Sequence, residues 1–303
     1  MSPAGRDASI GRSLIPMGIL TLVWGVNWPI LKMGVTEVPP LTFRAYTLLF
    51  TGLCLLAVAM AGGESIRLPR ELWPLVVRLS IFNIAAWNGL VLFGLREMPA
   101  GRGAILAYTM PLWATLISLV VLNERLSWHK VLGLVLGMAA MALLVVEDIA
   151  AIGKSPFGAA MILGAAIAWG VGVVMLRTSQ PPISKNALAG WMTILGWIPL
   201  TLATPFLDED WIARIPSLSG TAWFAILYNI ILAGTLAQWA WFTLARTLPV
   251  AVSSMSSLPV PVVGIFAGML LLGERPGAAE WIALALVVAA LFAVLWPGRV
   301  TQA

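Results

Sequence analysis

The spacing of the charged residues constrains this chain more than any other feature. Reading from one Asp, Glu, Lys or Arg to the next leaves ten stretches of at least 16 uncharged residues: 13–31, 45–63, 79–95, 103–123, 131–146, 155–176, 186–207, 215–245, 247–273 and 281–298. At about 1.5 Å of rise per residue, roughly 20 helical residues cross a hydrocarbon core of about 30 Å. Each stretch therefore predicts one membrane span, the shorter ones drawing in interfacial residues at their ends. None is long enough for two spans and a turn. Composition agrees, with 60% apolar and 10% charged residues where a soluble domain carries about 25% charge. The expected fold is an all-α membrane protein of ten transmembrane helices.

Several function classes fall away at once. Cys54 is the one cysteine and lies inside the second stretch, and His129 is the one histidine, so disulfides, thiol metal sites and zinc clusters are not expected. No cofactor or metal is expected either. The first stretch is 19 residues long with no small-x-small site before the next one, and it reads as a span rather than a cleaved leader. The basic balance, +5 with an isoelectric point near 9.9, reports orientation in such a chain rather than nucleic-acid binding.

With the N-terminus inside, eleven Lys and Arg side chains fall on the inner side (Arg6, Arg12, Arg67, Arg70, Arg78, Arg125, Lys130, Arg177, Lys185, Arg246 and Arg299). Six fall outside: Lys32, Arg96, Arg102, Lys154, Arg214 and Arg275. The positive-inside rule then places both termini in the cytoplasm of a multi-pass protein of the cell inner membrane. The acidic run Asp208-Glu209-Asp210 falls outside.

The chain also repeats itself. Shifted by 150 residues, 96–144 lies on 246–294 without a gap and with ten identities, among them Arg96 on Arg246, Pro99 on Pro249, Pro111 on Pro261, Glu124 on Glu274 and Arg125 on Arg275. Asn88 falls on Gln238. Shifted by 145, Trp24-Gly25-Val26 falls on Trp169-Gly170-Val171 and Lys32 on Arg177. Two halves, 1–150 and 151–303, each with five spans, follow. Because five is odd, the second half must enter the membrane upside down relative to the first. Inverted repeats of this kind build alternating-access transporters, with the substrate near the midplane between the halves.

Trp24-Gly25 in span 1, Phe43-Arg44 at the start of span 2, and Leu122-Asn123-Glu124-Arg125-Leu126-Ser127 followed by Gly133 and Gly137 resemble an EamA-type repeat of the drug/metabolite transporter superfamily. Gly273-Glu274-Arg275 repeats the Glu box in the second half, and the resemblance covers essentially the whole chain. Ala107-Tyr108-Thr109-Met110-Pro111-Leu112 is similar to the fourth helix of YddG-type exporters of aromatic amino acids. The resemblance implies a basket of helices 1–4 and 6–9 around a central cavity, with helices 5 and 10 as lateral supports. It also implies export of small, often amphiphilic metabolites. In span 10 Gly133 and Gly137 correspond to Ala283 and Val287, so their packing need not be symmetric.

Polar groups at bilayer depth must find partners or line water. They gather in four spans: Asn27 in span 1, Asn83 and Asn88 in span 3, Asn229 and Gln238 in span 8, and Ser253, Ser254, Ser256 and Ser257 in span 9. Trp73, Trp128, Trp211, Trp281 and Trp296 sit at span ends and read as interfacial anchors. Trp24, Trp87, Tyr108 and Trp169 lie deep in their spans and are the candidate aromatic wall of a pocket, with Asn83 and Asn229 as its polar contacts. Interhelical hydrogen bonding is the competing role for each amide. Pro111, Pro259 and Pro261 remove backbone donors and are the candidate hinges.

No Asp, Glu, Lys or His falls near the middle of a span; Arg44 opens span 2, and Glu124 and Glu274 close spans 4 and 9, with Arg125 and Arg275 as candidate partners. Proton relays use intramembrane carboxylates or histidines, so a passive facilitator is the simpler expectation. An intramembrane enzyme would need a nucleophile–base pair or metal ligands at depth, which this chain lacks. The leading expectation is a carrier exporting aromatic or hydrophobic amino acids or related metabolites, as a monomer or homodimer. A broad-specificity drug exporter and a static channel remain as alternatives.

Overall fold

The computed structural model describes residues 3–122, 128–150, 156–207, 217–247 and 259–295. Glu124, Arg125, the acidic run 208–210, Trp211, the four serines of span 9 and Trp296 lie outside the described residues.

The described residues are helical and carry no strand. In chain order they form α1 (Pro3–Glu37), α2 (Pro40–Ala61), α3 (Arg70–Glu97), α4 (Ala100–Val121), α5 (Trp128–Ala150), α6 (Phe157–Ser179) and α7 (Lys185–Leu207). There follow α8 (Gly220–Leu227, continued as Tyr228–Leu236 and Ala237–Thr247), α9 (Pro259–Leu272) and α10 (Ala278–Leu295). Among the described residues, seven helices, α1–α4 and α6–α8, are long and apolar enough to cross a membrane; the described apolar stretches of α5, α9 and α10 are Val131–Leu144, Pro259–Leu272 and Ala278–Ala293. The outer surface suits lipid. Val120, Phe206 and Leu270 are each more than 80% exposed, an arrangement that water would penalise.

Helix ends do not follow the charges as the sequence suggests. α1 runs on through Lys32 to Glu37, because the Lys32 ammonium finds partners without leaving the helix: it donates to the carbonyls of Leu95 (2.7 Å) and Arg96 (2.8 Å) at the end of α3. Two helices change their winding. Ile81–Ala86 in α3 and Tyr228–Leu236 in α8 are π-helical, a widened winding that recurs at functional sites. α4 is broken: it ends at Ala107 and resumes at Met110. Pro111 has no N–H to return to the Ala107 carbonyl, so the ladder opens there, and Thr109 instead donates from both N–H and hydroxyl to the Leu106 carbonyl.

Lipid tails supply no hydrophobic force between helices, so packing rests on close backbone approach. Gly52 of α2 meets Gly190 of α7, and Gly94 of α3 meets Gly158 of α6; a Cβ on either member of a pair would stand 2.7 to 3.1 Å from the other's carbonyl oxygen. α1 packs on α8 and α9, while α6 packs on α3 and α4. α2 lies along α7, and α5 along α10 at the side of the assembly.

Candidate functional site

A cavity of about 180 Å³ lies among α1–α4 and α6–α8. The structure brings together all six residues singled out as a pocket: Trp24, Asn83, Trp87, Tyr108, Trp169 and Asn229 line this one space. Each arrives by its own local device. Asn83 and Asn229 stand on the π-helical turns of α3 and α8. Tyr108 occupies the break in α4, 5% exposed and close to the packed core. Trp87 and Trp169, from different halves of the chain, meet with ring centroids 4.9 Å apart and planes inclined by 56°, the tilted geometry aromatic rings prefer. Trp24 is fixed by its indole N–H, which donates to the Ala233 carbonyl (3.1 Å) on the π-helical stretch of α8.

The hydrogen bonds sort the amides. Asn88 donates to the Ile84 carbonyl (2.8 Å) and Asn229 to the Ala225 carbonyl (3.0 Å), each within its own helix. Asn83 donates across to the Trp169 carbonyl at 3.4 Å. The carbonyl oxygens of Asn27 and Asn83 are buried and accept from no group among the described residues. A buried acceptor without a donor is unfavourable until something in the cavity supplies one.

Beyond those six, the wall takes in residues that were not singled out as pocket contacts, and Arg44 is the charged one. Arg44 is the fifth residue of α2, 6% exposed, and the sole charged side chain among the described residues lining the cavity. Its Nη1 donates to Asn229 Oδ1 at 3.3 Å, its guanidinium carbon lies 5.7 Å from the Phe43 ring centroid, and its Nε has no acceptor among the described residues. Lying just outside an uncharged stretch, it reads from hydropathy as an interfacial residue. The available signal was asymmetry: Phe43-Arg44 falls on Leu188-Ala189 of the second half, so the cation has no counterpart there.

Pro111 stands beside the α4 break; Pro259 begins the described part of α9, and Pro261 is buried within it. Glu274 does not pair with Arg275. Its carboxylate accepts from the N–H groups of Ala100 (2.5 Å) and Gly101 (3.1 Å), capping α4 from across the molecule. Gly273, at φ +65°, makes the left-handed turn that swings it there. A second groove, about 870 Å³ and walled by apolar side chains of α5, α9 and α10 with His129 at one end, is shallower and offers little for a polar ligand.

Comparison with known proteins agrees with this architecture. The model of the EamA-like transporter family matches residues 13–146 and again 156–296. The chain is 28% identical over 290 residues to "Uncharacterized inner membrane transporter YedA" of Escherichia coli K12, spanning 93% of this chain and 92% of that one. It is 23% identical over 285 residues to "Probable amino-acid metabolite efflux pump" of the same organism, spanning 90% and 91%. One crystal structure, 20% identical, superposes with a TM-score of 0.66 over 93% of this chain and 97% of that one, which speaks for the fold alone. The protein is a multi-pass membrane transporter, and the chain belongs to the EamA-like transporter family.

Proposed function

We propose that this transporter is a ten-span carrier of the inner membrane that exports small amphiphilic metabolites, aromatic or hydrophobic amino acids foremost, by alternating access of the halves 1–150 and 151–303. The observation that carries the reading is the cavity itself, whose aromatic and amide walls come from both halves. Aromatic faces suit an apolar side chain, and the unpartnered carbonyl oxygen of Asn27 suits an ammonium group. Its volume, about 180 Å³, lies below the roughly 300–1,000 Å³ of pockets for drug-sized ligands, which favours a single small metabolite over a bulky drug. The relative named "Probable amino-acid metabolite efflux pump" points the same way.

The packing supports the inverted halves. Gly25 of α1 faces Val263 of α9, and Gly170 of α6 faces Trp113 and Ala114 of α4. Gly25 and Gly170 correspond under the shift of 145, and Trp113 and Val263 under the shift of 150, so the two contacts are one contact made twice. Two such equivalent arrangements are what an exchange between inward-open and outward-open forms requires. The cavity lining holds no carboxylate or imidazole among the described residues, which favours facilitated over proton-coupled transport.

The test is counterflow in proteoliposomes loaded with a panel of unlabelled amino acids. Saturable, stereospecific uptake of labelled aromatic amino acids is the expected outcome. Flux that never saturates marks a channel, and flux driven only by cationic drugs marks a broad-specificity exporter.

A further inference from the structure

Arg44 is a cation buried in a low-dielectric wall with no carboxylate within ion-pair distance among the described residues. A guanidinium offers five N–H donors, and the described residues engage it through Nη1 to Asn229 Oδ1. Asn229 cannot turn away, because its own Nδ2 is committed to the Ala225 carbonyl at 3.0 Å. Its Oδ1 therefore positions the guanidinium without neutralising it. An isolated charge at bilayer depth is strongly unfavourable unless a counter-charge or water compensates it, and here Nε remains unpartnered at the edge of a cavity.

On the reading of this cavity as the transport site, we propose that Arg44 is its anion-binding group and that the transported molecule must carry a carboxylate. The guanidinium fork matches a carboxylate in a bidentate geometry. The unpartnered oxygen of Asn27 on α1, another residue of the wall, supplies an acceptor for an ammonium. The cavity thus has a cationic pole on α2 and an acceptor on α1, with Trp87 and Trp169 left for the apolar arm. Specificity follows from charge: an apolar amine or a lipophilic cation leaves Arg44 uncompensated, whatever the fit of its rings.

The experiment compares phenylalanine with phenylalaninol and phenethylamine, which keep the ring and amine but lack the carboxylate. Each is used as a competitor of counterflow and as a ligand that raises the melting temperature of the purified, detergent-solubilised protein. For wild type, phenylalanine is expected to act at concentrations about ten- to a hundredfold lower than either analogue, the range of a charge-assisted hydrogen bond. Arg44→Gln should lose that difference. Asn229→Asp, which gives the guanidinium an internal counter-charge and so keeps the buried pair satisfied, should lose it too. Wild-type protein that accepts phenethylamine as readily as phenylalanine, or a folded Arg44→Gln protein that still prefers the acid, overturns the anion site. If no amino acid acts but benzoate or indole-3-acetate stabilises wild type and not Arg44→Gln, the amino-acid reading falls and the anion site stands. If tetraphenylphosphonium stabilises wild type and no carboxylate does, the anion site falls.

Discussion

Asn83 owes its place in the cavity to a missing methyl group. A Cβ added to Gly172 of α6 would stand 2.0 Å from Asn83 Oδ1, 2.4 Å from its Cγ and 2.5 Å from its Nδ2, so the amide occupies the volume that any other residue would fill. Gly172→Ala is therefore expected to destabilise the protein by about 1–3 kcal/mol through overpacking, measured as a lower melting temperature, and to weaken substrate binding in parallel. Gly18→Ala, where nothing lies within 4 Å, should instead hold or raise stability by up to about 1 kcal/mol, since alanine suits a helix interior better than glycine. The Trp87–Trp169 contact invites a second prediction. Such ring pairs contribute about 0.5–1.5 kcal/mol beyond their buried area, so Trp87→Phe, which keeps a smaller ring, should weaken binding about two- to tenfold while counterflow persists. At this scale the aromatic wall was legible, because Trp24 and Trp169 recur at matching places in the two halves and lie far from any span end. Arg44 was not, because a charge beside an uncharged stretch has the same local signature whether it faces headgroups or a cavity.

Helices carry their irregularities where the cavity is. The π-helical turns of α3 and α8 hold Asn83 and Asn229, two of the asparagines lining the cavity, and the break in α4 holds Tyr108. Prolines announced the last of these and nothing local announced the others. The nearest sequence trace is a difference in spacing: Asn83 and Asn88 are five residues apart, while Asn229 and Gln238 are nine apart. Pro111→Ala restores the N–H that the Ala107 carbonyl lacks. It is expected to straighten α4 and to slow counterflow severalfold with little change in half-saturating concentration; equal loss of both would assign Pro111 to the binding site instead. At the other end of α4, the Glu274 carboxylate satisfies two N–H groups that an uncapped helix start leaves open. Glu274→Ala should lower stability by about 0.5–2 kcal/mol, the usual range for a lost helix cap, read by thermal melting in detergent. The corresponding Glu124 lies outside the described residues.

Across the whole molecule, tertiary contacts group the helix ends into two faces. Glu37 accepts from the N–H and hydroxyl of Ser219, Lys32 reaches Arg96, Glu274 caps Ala100, and Arg102 lies 3.6 Å from Glu280, all at one end. At the opposite end Asn186 donates to Glu64 and the Trp191 indole donates to the Ile66 carbonyl. Lys32, Arg96, Arg102 and Arg275 belong to the face that the charge count places outside, and Arg67 and Lys185 to the face it places inside. With Cys54 replaced by alanine, the exposed positions Ser65→Cys and Thr36→Cys test the orientation. A membrane-impermeant maleimide added to intact cells should label Thr36→Cys and spare Ser65→Cys; the reverse pattern would place the termini outside.

Sequence by itself determined what depends on each segment's own exchange with its surroundings. The apolar stretches, the short charged connections, the twofold recurrence of Trp-Gly and Glu-Arg, and the prolines that open a ladder are all local, and lipid and backbone hydrogen bonding act on them one helix at a time. Tertiary structure decided what depends on how helices rotate and approach one another. The Arg44–Asn229 hydrogen bond joins residues 185 positions apart, and the contact of Glu274 with Ala100 joins residues 174 apart. Neither partner can be chosen from its neighbours in the chain. They meet because Gly25, Gly52, Gly94 and Gly170 let backbones come close enough to fix each helix's rotation, and it is that rotation which turns Arg44 toward the cavity and away from the membrane interface.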